Sequence, residues 1–324
     1  MTYSMTVTAT PAVIGTHGAQ ELLTSSLYED FIQDMDCSPK SVETYSRAIR
    51  SFLSYLLQRG IDAPQRKDVL AYRESITGSL SSSTVRSYMT AVRKLFAWAS
   101  ATGRYPDIAE GIKSGVKKDR TFRKDYLQAD EVRDILGGID TSSLKGLRDY
   151  AIVSLMVTCG LRDVEVVRAD ISDLERRGAR AKLYVQGKGR TDKDDYVLVP
   201  FQVAGAIAEY LGARGSSEGP LFASVSNRDA GARMTTRSVS RLVKEAMLAA
   251  GYESDRLTAH SLRHTAVTLA VKAGCSVEEA QVMARHADIS TTMLYCHAIE
   301  KESNICSSKV AGQIFTASSA GFSC

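Results

Sequence analysis

Between Lys113 and Lys124 the chain gathers Lys113, Lys117, Lys118, Arg120, Arg123 and Lys124 against a single acid, Asp119. No apolar stripe of helical or strand period runs through this stretch, so hydrophobic cores must form on either side of it and the chain must fold in two parts. A length of 324 residues with 44% hydrophobic side chains suffices for about two domains, each with its own core. The expected division is 1–19 as a disordered N-terminus, 20–112 as a helical domain, 113–126 as a basic interdomain linker and 127–324 as a second domain.

The first domain reads as an all-helical bundle. Ser38 followed by Pro39 pairs an N-cap residue with proline at the first helical position, and Val42, Tyr45, Ile49, Phe52, Leu53 and Leu56 then recur at helical spacing up to Gly60. A second helix follows Ser81 to Ser83, with Val85, Tyr88, Met89, Val92, Leu95 and Phe96 on one stripe and Arg86, Arg93 and Lys94 on the other face. Weaker helical patterns lie near Glu21 to Met35 and Lys67 to Ile76, which makes about four helices. The aromatic residues, Trp98 included, belong to the core.

Beyond the linker, helices are predicted over Ala129 to Leu136 and Leu144 to Thr158, with Gly160 as a helix stop and a new helix from Leu161 that carries Arg162 in its first turn. Ala181 to Gln186 and Asp195 to Pro200 are short β-prone runs, joined as a hairpin by the basic tip Gly187 to Asp194. Further helices are predicted over Val203 to Leu211, Thr236 to Ala250, Ser261 to Ala273 and Val277 to Ala284. The fold class is therefore mainly α with a small β-hairpin or sheet: a helical N-terminal domain and a mixed α/β C-terminal one.

Charge and composition bound the function. A net charge of +4 and a pI near 8.6 permit nucleic-acid binding without demanding it. The basic linker is either a solvated connector, a set of phosphate contacts, or both. No apolar run is long enough to span a bilayer and the first 18 residues lack a signal-peptide pattern, so a cytoplasmic location is expected. Six scattered cysteines without a Cys-x-x-Cys pair fit reduced thiols and give no sign of a metal site.

The chemistry gathers late in the chain. Tyr295 follows His260, Arg263, His264 and His286, and a phenolic hydroxyl placed behind arginines and histidines suggests a nucleophile aimed at phosphate. Phosphoryl transfer needs cations around the non-bridging oxygens, and the rigid guanidinium forks of Arg162 and Arg263 suit that task. His260 and Arg263 share a helical face, while His264 is turned away by one residue, so one histidine serves the site while the other packs or caps. Each piece alone has a blander reading: Arg162-x-x-Glu165 is the pattern of a surface salt bridge, Gly187-Lys188-Gly189 that of a turn, and a lone tyrosine is usually packed.

Their order is more specific. Cys159-Gly-Leu-Arg-Asp-Val-Glu165, Gln186-Gly-Lys-Gly189 in a hairpin, Leu257-Thr-Ala-His-Ser-Leu-Arg-His-Thr265 and Ala284-Arg-His-Ala-Asp-Ile-Ser-Thr-Thr-Met-Leu-Tyr-Cys-His297 resemble four boxes of the tyrosine recombinases. These site-specific DNA recombinases include phage and transposon integrases and the Xer proteins. The resemblance covers the second domain, and the helical first domain agrees with the family's core-binding domain.

The resemblance implies a two-domain clamp around duplex DNA and a metal-free, cofactor-free and ATP-free transesterification. Tyr295 would attack the scissile phosphate and Arg162 and Arg263 would stabilise the transition state. His260 would be the general base, His286 would hydrogen-bond the phosphate, and Lys188 would protonate the leaving 5′-oxygen, with Lys193 and Arg190 as substitutes. DNA contacts are expected from Lys40, Arg47, Arg86, Arg93, Lys94, Lys117, Lys118, Arg120, Arg123, Lys124, Arg190 and Arg285. Many members have glycine where this chain has Arg285, and a positive φ there would strain an arginine. His297 reads as a packing residue.

The segment after Tyr295 would dock onto a neighbouring protomer, and four-strand exchange implies a homotetramer on two DNA sites, with monomers in solution. The helical domain begins so early that little room remains for an arm-binding domain, which favours a simple recombinase acting on short core sites, with an integrase of a mobile element as the first reading. The alternatives are a Xer-like chromosome or plasmid dimer resolvase, a relaxing topoisomerase or telomere resolvase of the same chemistry, a catalytically inactive DNA-binding accessory protein, and a metal-dependent nuclease.

Overall fold

The computed structural model describes residues 25–115, 125–177, 180–187, 190–293, 296 and 306–315. It divides into two compact units at Asp119 and Arg120. Tyr295, Lys188, His297 and the linker bases Lys117, Lys118, Arg120, Arg123 and Lys124 lie outside the described residues.

The first unit consists of α1 (Ser25–Gln33), α2 (Pro39–Gln58), α3 (Arg66–Ile76) and α4 (Ser82–Ala101). The two long helices begin where the sequence signals them. Ser38 accepts from the Ser41 N–H with Pro39 in the first turn, and Ser81 accepts from the Thr84 N–H. Their apolar stripes meet in a core where the Phe52 ring packs edge-on against Tyr72 and Phe96, with centroids 5.0 and 5.9 Å away. Trp98 sits at the rim, against Phe31, with its indole N–H donated to Asp34 at 2.9 Å.

The second unit is built around α6 (Leu144–Cys159), which is buried on nearly all sides. Around it stand α5 (Ala129–Gly137), α7 (Asp163–Arg168), α8 (Phe201–Arg214), α9 (Thr236–Ala249), α10 (Ala259–Lys272) and α11 (Val277–Ala284); α12 (Cys306–Phe315) ends the described chain. An antiparallel sheet in the order β1-β2-β3 closes one side: β1 is Leu174–Arg177, β2 Arg180–Val185 and β3 Asp195–Val199. Leu183 and Val185 of β2 and Val197 and Val199 of β3 face the core.

The hairpin was expected and the third strand was not. In β1 only Leu174 is apolar, and three charged residues follow it. Its pairing with β2, Leu174 opposite Leu183 and Arg177 opposite Arg180, rests on ladder hydrogen bonds at a sheet edge, which leave no period in the side chains.

Gly146 shows how tightly α6 is seated. The Ser143 hydroxyl caps its N–H at 3.1 Å, and a β-carbon at Gly146 would stand 1.6 Å from the Asp140 carbonyl oxygen. Gly146→Ala should therefore force the preceding turn outward and destabilise the second unit by about 3 kcal/mol, read as a lowered thermal unfolding midpoint. An unchanged midpoint would show that the turn yields freely.

Candidate active site

Three chain breaks bring the site together. The first is at the end of α6, where Gly160 takes φ 61° and stops the helix. Leu161 and Arg162 then run on before α7 begins, so Arg162 is the extended N-cap of α7 and not a residue of its first turn. The Glu165 carboxylate reaches back to accept the Arg162 N–H at 2.9 Å and the Arg162 guanidinium, through Nη1, at 2.7 Å.

The second is the start of α10, which carries His260, Arg263 and His264 in two turns. His260 is exposed and His264 buried, and their rings meet edge-on with centroids 4.8 Å apart. The two side chains thus lie on different faces of the helix start, one outward and one packed. Arg263 is only 1% exposed, and its guanidinium donates to the carbonyls of Gly160, at 2.6 Å, and of Ala284. It thus ties the α6 break to the end of α11.

The third break ends α11 in a Schellman turn. His286 N–H bonds the Gln281 carbonyl, Arg285 N–H bonds that of Val282, and Arg285 adopts φ 53°, ψ 48°. Among the described residues it is the non-glycine residue with positive φ, a conformation that costs about 1 kcal/mol without glycine. The conformation anticipated from the family's glycine is therefore present.

Its side chain does not point outward as a DNA contact would. The Arg285 guanidinium is 8% exposed and donates to Glu165 at 2.7 Å and to the Met283 carbonyl at 2.9 Å. The expectation of a DNA-facing Arg285 is corrected by this inward pairing. The reason is that an ionised Glu165, 0% exposed, needs more than one cation in the interior.

Glu165 is accordingly the residue that sequence reasoning missed. The i, i+3 spacing from Arg162 was visible, but burial was not. Burial pushes the Glu165 carboxyl pKa up, yet Arg285, the Arg162 N–H, Arg162 and Arg263 together outweigh it and hold the pKa below the usual value. Three guanidinium groups against one carboxylate leave the cluster with two net positive charges, a field suited to a phosphate.

His286 sits inside that field, half-buried. Burial first, then Arg263, Arg162, His260 and Arg285, lower its pKa to about 4, so the imidazole is neutral at pH 7. Its Nδ1 lies 2.9 Å from the hydroxyl of buried Thr292, three residues before Tyr295. A neutral ring has one N–H and one acceptor nitrogen, and the contact of Nδ1 with Thr292 decides which nitrogen carries the proton. Arg162, His260, Arg263 and His286 thus come from three separate segments into one electrostatic cluster.

At the hairpin, Lys193 is clamped between Asp170 at 2.7 Å and Asp173 at 2.5 Å. Burial lowers its pKa, but these two carboxylates prevail and raise it, so its ammonium is held in an ion-pair clamp. Arg190 pairs with Asp194 at 2.5 Å on the surface. In the first unit, Lys40 and Arg47 both pair with Glu43 in the open, Arg93 donates to Ser114, Lys94 lies 5.3 Å over the Tyr45 ring, and Arg86 is half-buried. Exposed pairs of this kind add little to stability and can open to a phosphate.

The profile of the Phage integrase family matches residues 125–302, more than half of the chain. The chain belongs to the phage integrase family. Residues 26–103 match the family's N-terminal SAM-like domain, so this tyrosine recombinase has both parts expected of a DNA strand-transfer enzyme.

Among its curated relatives, tyrosine recombinase XerD of Listeria monocytogenes serotype 4b is 26% identical over 84% of this chain and 94% of that protein. XerD of Caulobacter vibrioides is 28% identical over 79% and 85%. The recombinase has the fold of XerH in a post-cleavage complex with palindromic difH substrate, at TM-score 0.71 and 20% identity, covering 92% of this chain and 91% of XerH. It also matches a lambda integrase(75-356) dimer bound to a COC' core site, at TM-score 0.64 and 20% identity, over 84% and 96%.

The depressed histidine gives a direct check. By NMR, the His286 imidazole of the recombinase should titrate near pH 4, well below the value of about 6.5 of an ordinary histidine. Because the unfolded chain takes up this proton at higher pH than the folded one, the contribution of His286 to stability is full above about pH 6.5 and declines as pH falls toward 4. A midpoint near 6.5 would show that neither burial nor the arginine field depresses the ring.

Proposed function

We propose that the recombinase cleaves and rejoins specific duplex DNA sites through a 3′-phosphotyrosyl intermediate at Tyr295. The observation that supports this most is the convergence of Arg162, Arg263 and neutral His286 on one net-positive cluster, with Thr292 linking His286 to the segment that leads into Tyr295.

In this reading the Tyr295 oxygen attacks the scissile phosphorus as its proton passes to His260. Arg162 and Arg263 hold the non-bridging oxygens, whose charge peaks in the transition state, and His286 donates a further hydrogen bond. The bond from phosphorus to the 5′-oxygen breaks, and Lys188 gives that oxygen a proton. A 5′-hydroxyl from the partner duplex then attacks the phosphotyrosine, releases Tyr295 and restores a phosphodiester. One ester replaces another at each step, so no ATP is consumed.

Exchange of two strand pairs through a Holliday junction requires four protomers on two sites, and a homotetramer is the proposed working assembly. Direct DNA contacts are proposed for Lys40, Arg47, Arg86, Arg93, Lys94 and Arg190, and for the linker bases. We infer that the enzyme acts in the cytoplasm on behalf of a mobile element. The near full-length match to XerD favours chromosome or plasmid dimer resolution as a second programme. A host lacking the gene should accumulate plasmid or chromosome dimers under the second programme and not under the first.

On a nicked suicide duplex bearing its site, the wild-type protein should accumulate a covalent adduct in the presence of EDTA, and Tyr295→Phe should form none. An equal adduct from the variant would remove Tyr295 as the nucleophile, and loss of the wild-type adduct in EDTA would point to metal-dependent cleavage. Lys188→Ala should slow cleavage about 100-fold or more on ordinary DNA and recover when sulfur replaces the bridging 5′-oxygen, because a thiolate leaves without a proton. Failure of sulfur to restore the rate would assign the general acid elsewhere.

A further inference from the structure

Arg285 is held in an unusual way on two counts. Its backbone occupies the left-handed region at φ 53°, and its guanidinium is turned into the interior with Nε buried and, among the described residues, without a hydrogen-bond partner. A surface arginine would be fully hydrated, and a glycine would fit the turn without strain. Both departures have one counterpart, the fork that Arg285 lays across Glu165 and the Met283 carbonyl.

The connections of Glu165 show what the fork can transmit. One carboxylate oxygen accepts the Arg162 guanidinium at 2.7 Å; the other accepts both the Arg162 main-chain N–H at 2.9 Å and Arg285 Nη2 at 2.7 Å. Glu165 therefore fixes Arg162 twice, once by its backbone and once by its side chain, and Arg285 fixes Glu165. At its other end Arg285 is covalently joined to His286, whose carbonyl is bound by the Gln281 side chain at 3.0 Å.

We propose that Arg285 is a positioning residue, which locks Arg162 through Glu165 and His286 through its own turn, so that two phosphate ligands from different segments keep one geometry. The fork is already occupied by protein, so a direct contact to DNA plays no part. Lysine is a poor replacement, because one ammonium on a flexible stem cannot reproduce the planar bridge from Glu165 to the Met283 carbonyl.

This inference rests on the phosphate-binding roles proposed for Arg162 and His286. It is tested by single-turnover adduct formation on the nicked suicide duplex at saturating protein, alongside DNA affinity by fluorescence anisotropy. The proteins are wild type, Arg285→Gly, Arg285→Lys and the double variant Glu165→Gln/Arg285→Gly. Arg285→Gly should bind DNA as wild type does and form adduct about 100-fold more slowly, the scale expected when a catalytic group is displaced by about 1 Å.

Arg285→Lys should fall between the two. The double variant should recover part of the loss, since no carboxylate is left buried with too few cations. The deficit of Arg285→Gly should deepen as pH falls, because Arg285 is first among the cations that keep Glu165 ionised, ahead of Arg162 and Arg263.

Weakened DNA affinity with an intact saturated rate would overturn the proposal in favour of a DNA contact. Wild-type behaviour of Arg285→Gly in both measurements would also overturn it, as would a loss that is the same at every pH and unrelieved by Glu165→Gln, which would indicate a merely structural residue. Should the glycine variant fail to fold, Arg285→Lys decides alone: an intermediate rate at unchanged affinity supports the proposal and a wild-type rate overturns it. Absence of an adduct from the wild-type protein would overturn the proposed function and this inference together, whereas a normal wild-type adduct with an unaffected Arg285→Gly overturns this one alone.

Discussion

The ionised carboxylate of Glu165, enclosed in the second unit, is the constraint on which the site depends. A lone carboxylate in such a place would protonate or draw water in. Here it is met by Arg162 and Arg285 directly and by Arg263 through the field, so that the end of α6, the start of α10 and the end of α11 are drawn to one point. Removing one partner of a buried pair typically costs about 3–5 kcal/mol, which makes the cluster a structural element as well as a chemical one.

The same charges decide what the site is able to bind. Because the arginines outnumber the single acid, the cluster keeps a positive surplus, and burial together with that surplus holds His286 neutral. Its ring can then donate a hydrogen bond without adding another charge to a region already crowded with cations. The interactions that retain Glu165 as an anion also tie Arg162 to the turn that precedes His286.

Much of this was legible in the sequence where local rules operate. Ser38, Pro39 and Ser81 announce their helices because capping is decided within one turn, and Gly160 announces a stop because a left-handed turn favours glycine. The alternating apolar residues around Leu183 and Val197 reveal two strands. β1 leaves no such trace, because ladder hydrogen bonds on an edge ask nothing of the side chains.

Glu165 and Arg285 were misjudged for a related reason. Whether a charged residue lies in water or in the interior is settled by segments far away in the chain, here by contact between residues 120 positions apart. Spacing shows that Arg162 and Glu165 share a face but cannot show what covers that face. The inward turn of Arg285 has no sequence signal beyond the absence of glycine at a place where the resemblance leads one to expect it.

The hairpin is anchored by more than its own strands. Its two legs are pinned close to the tip: Arg168 and the Arg190 N–H hold the Gly187 carbonyl, the Gln186 side chain bridges the carbonyls of Arg190 and Thr191, and the aspartate clamp grips Lys193. The ties to Arg168 and to the two aspartates come from side chains outside the β2–β3 ladder, so the described ends of the hairpin are held to the body of the second unit and not only to each other.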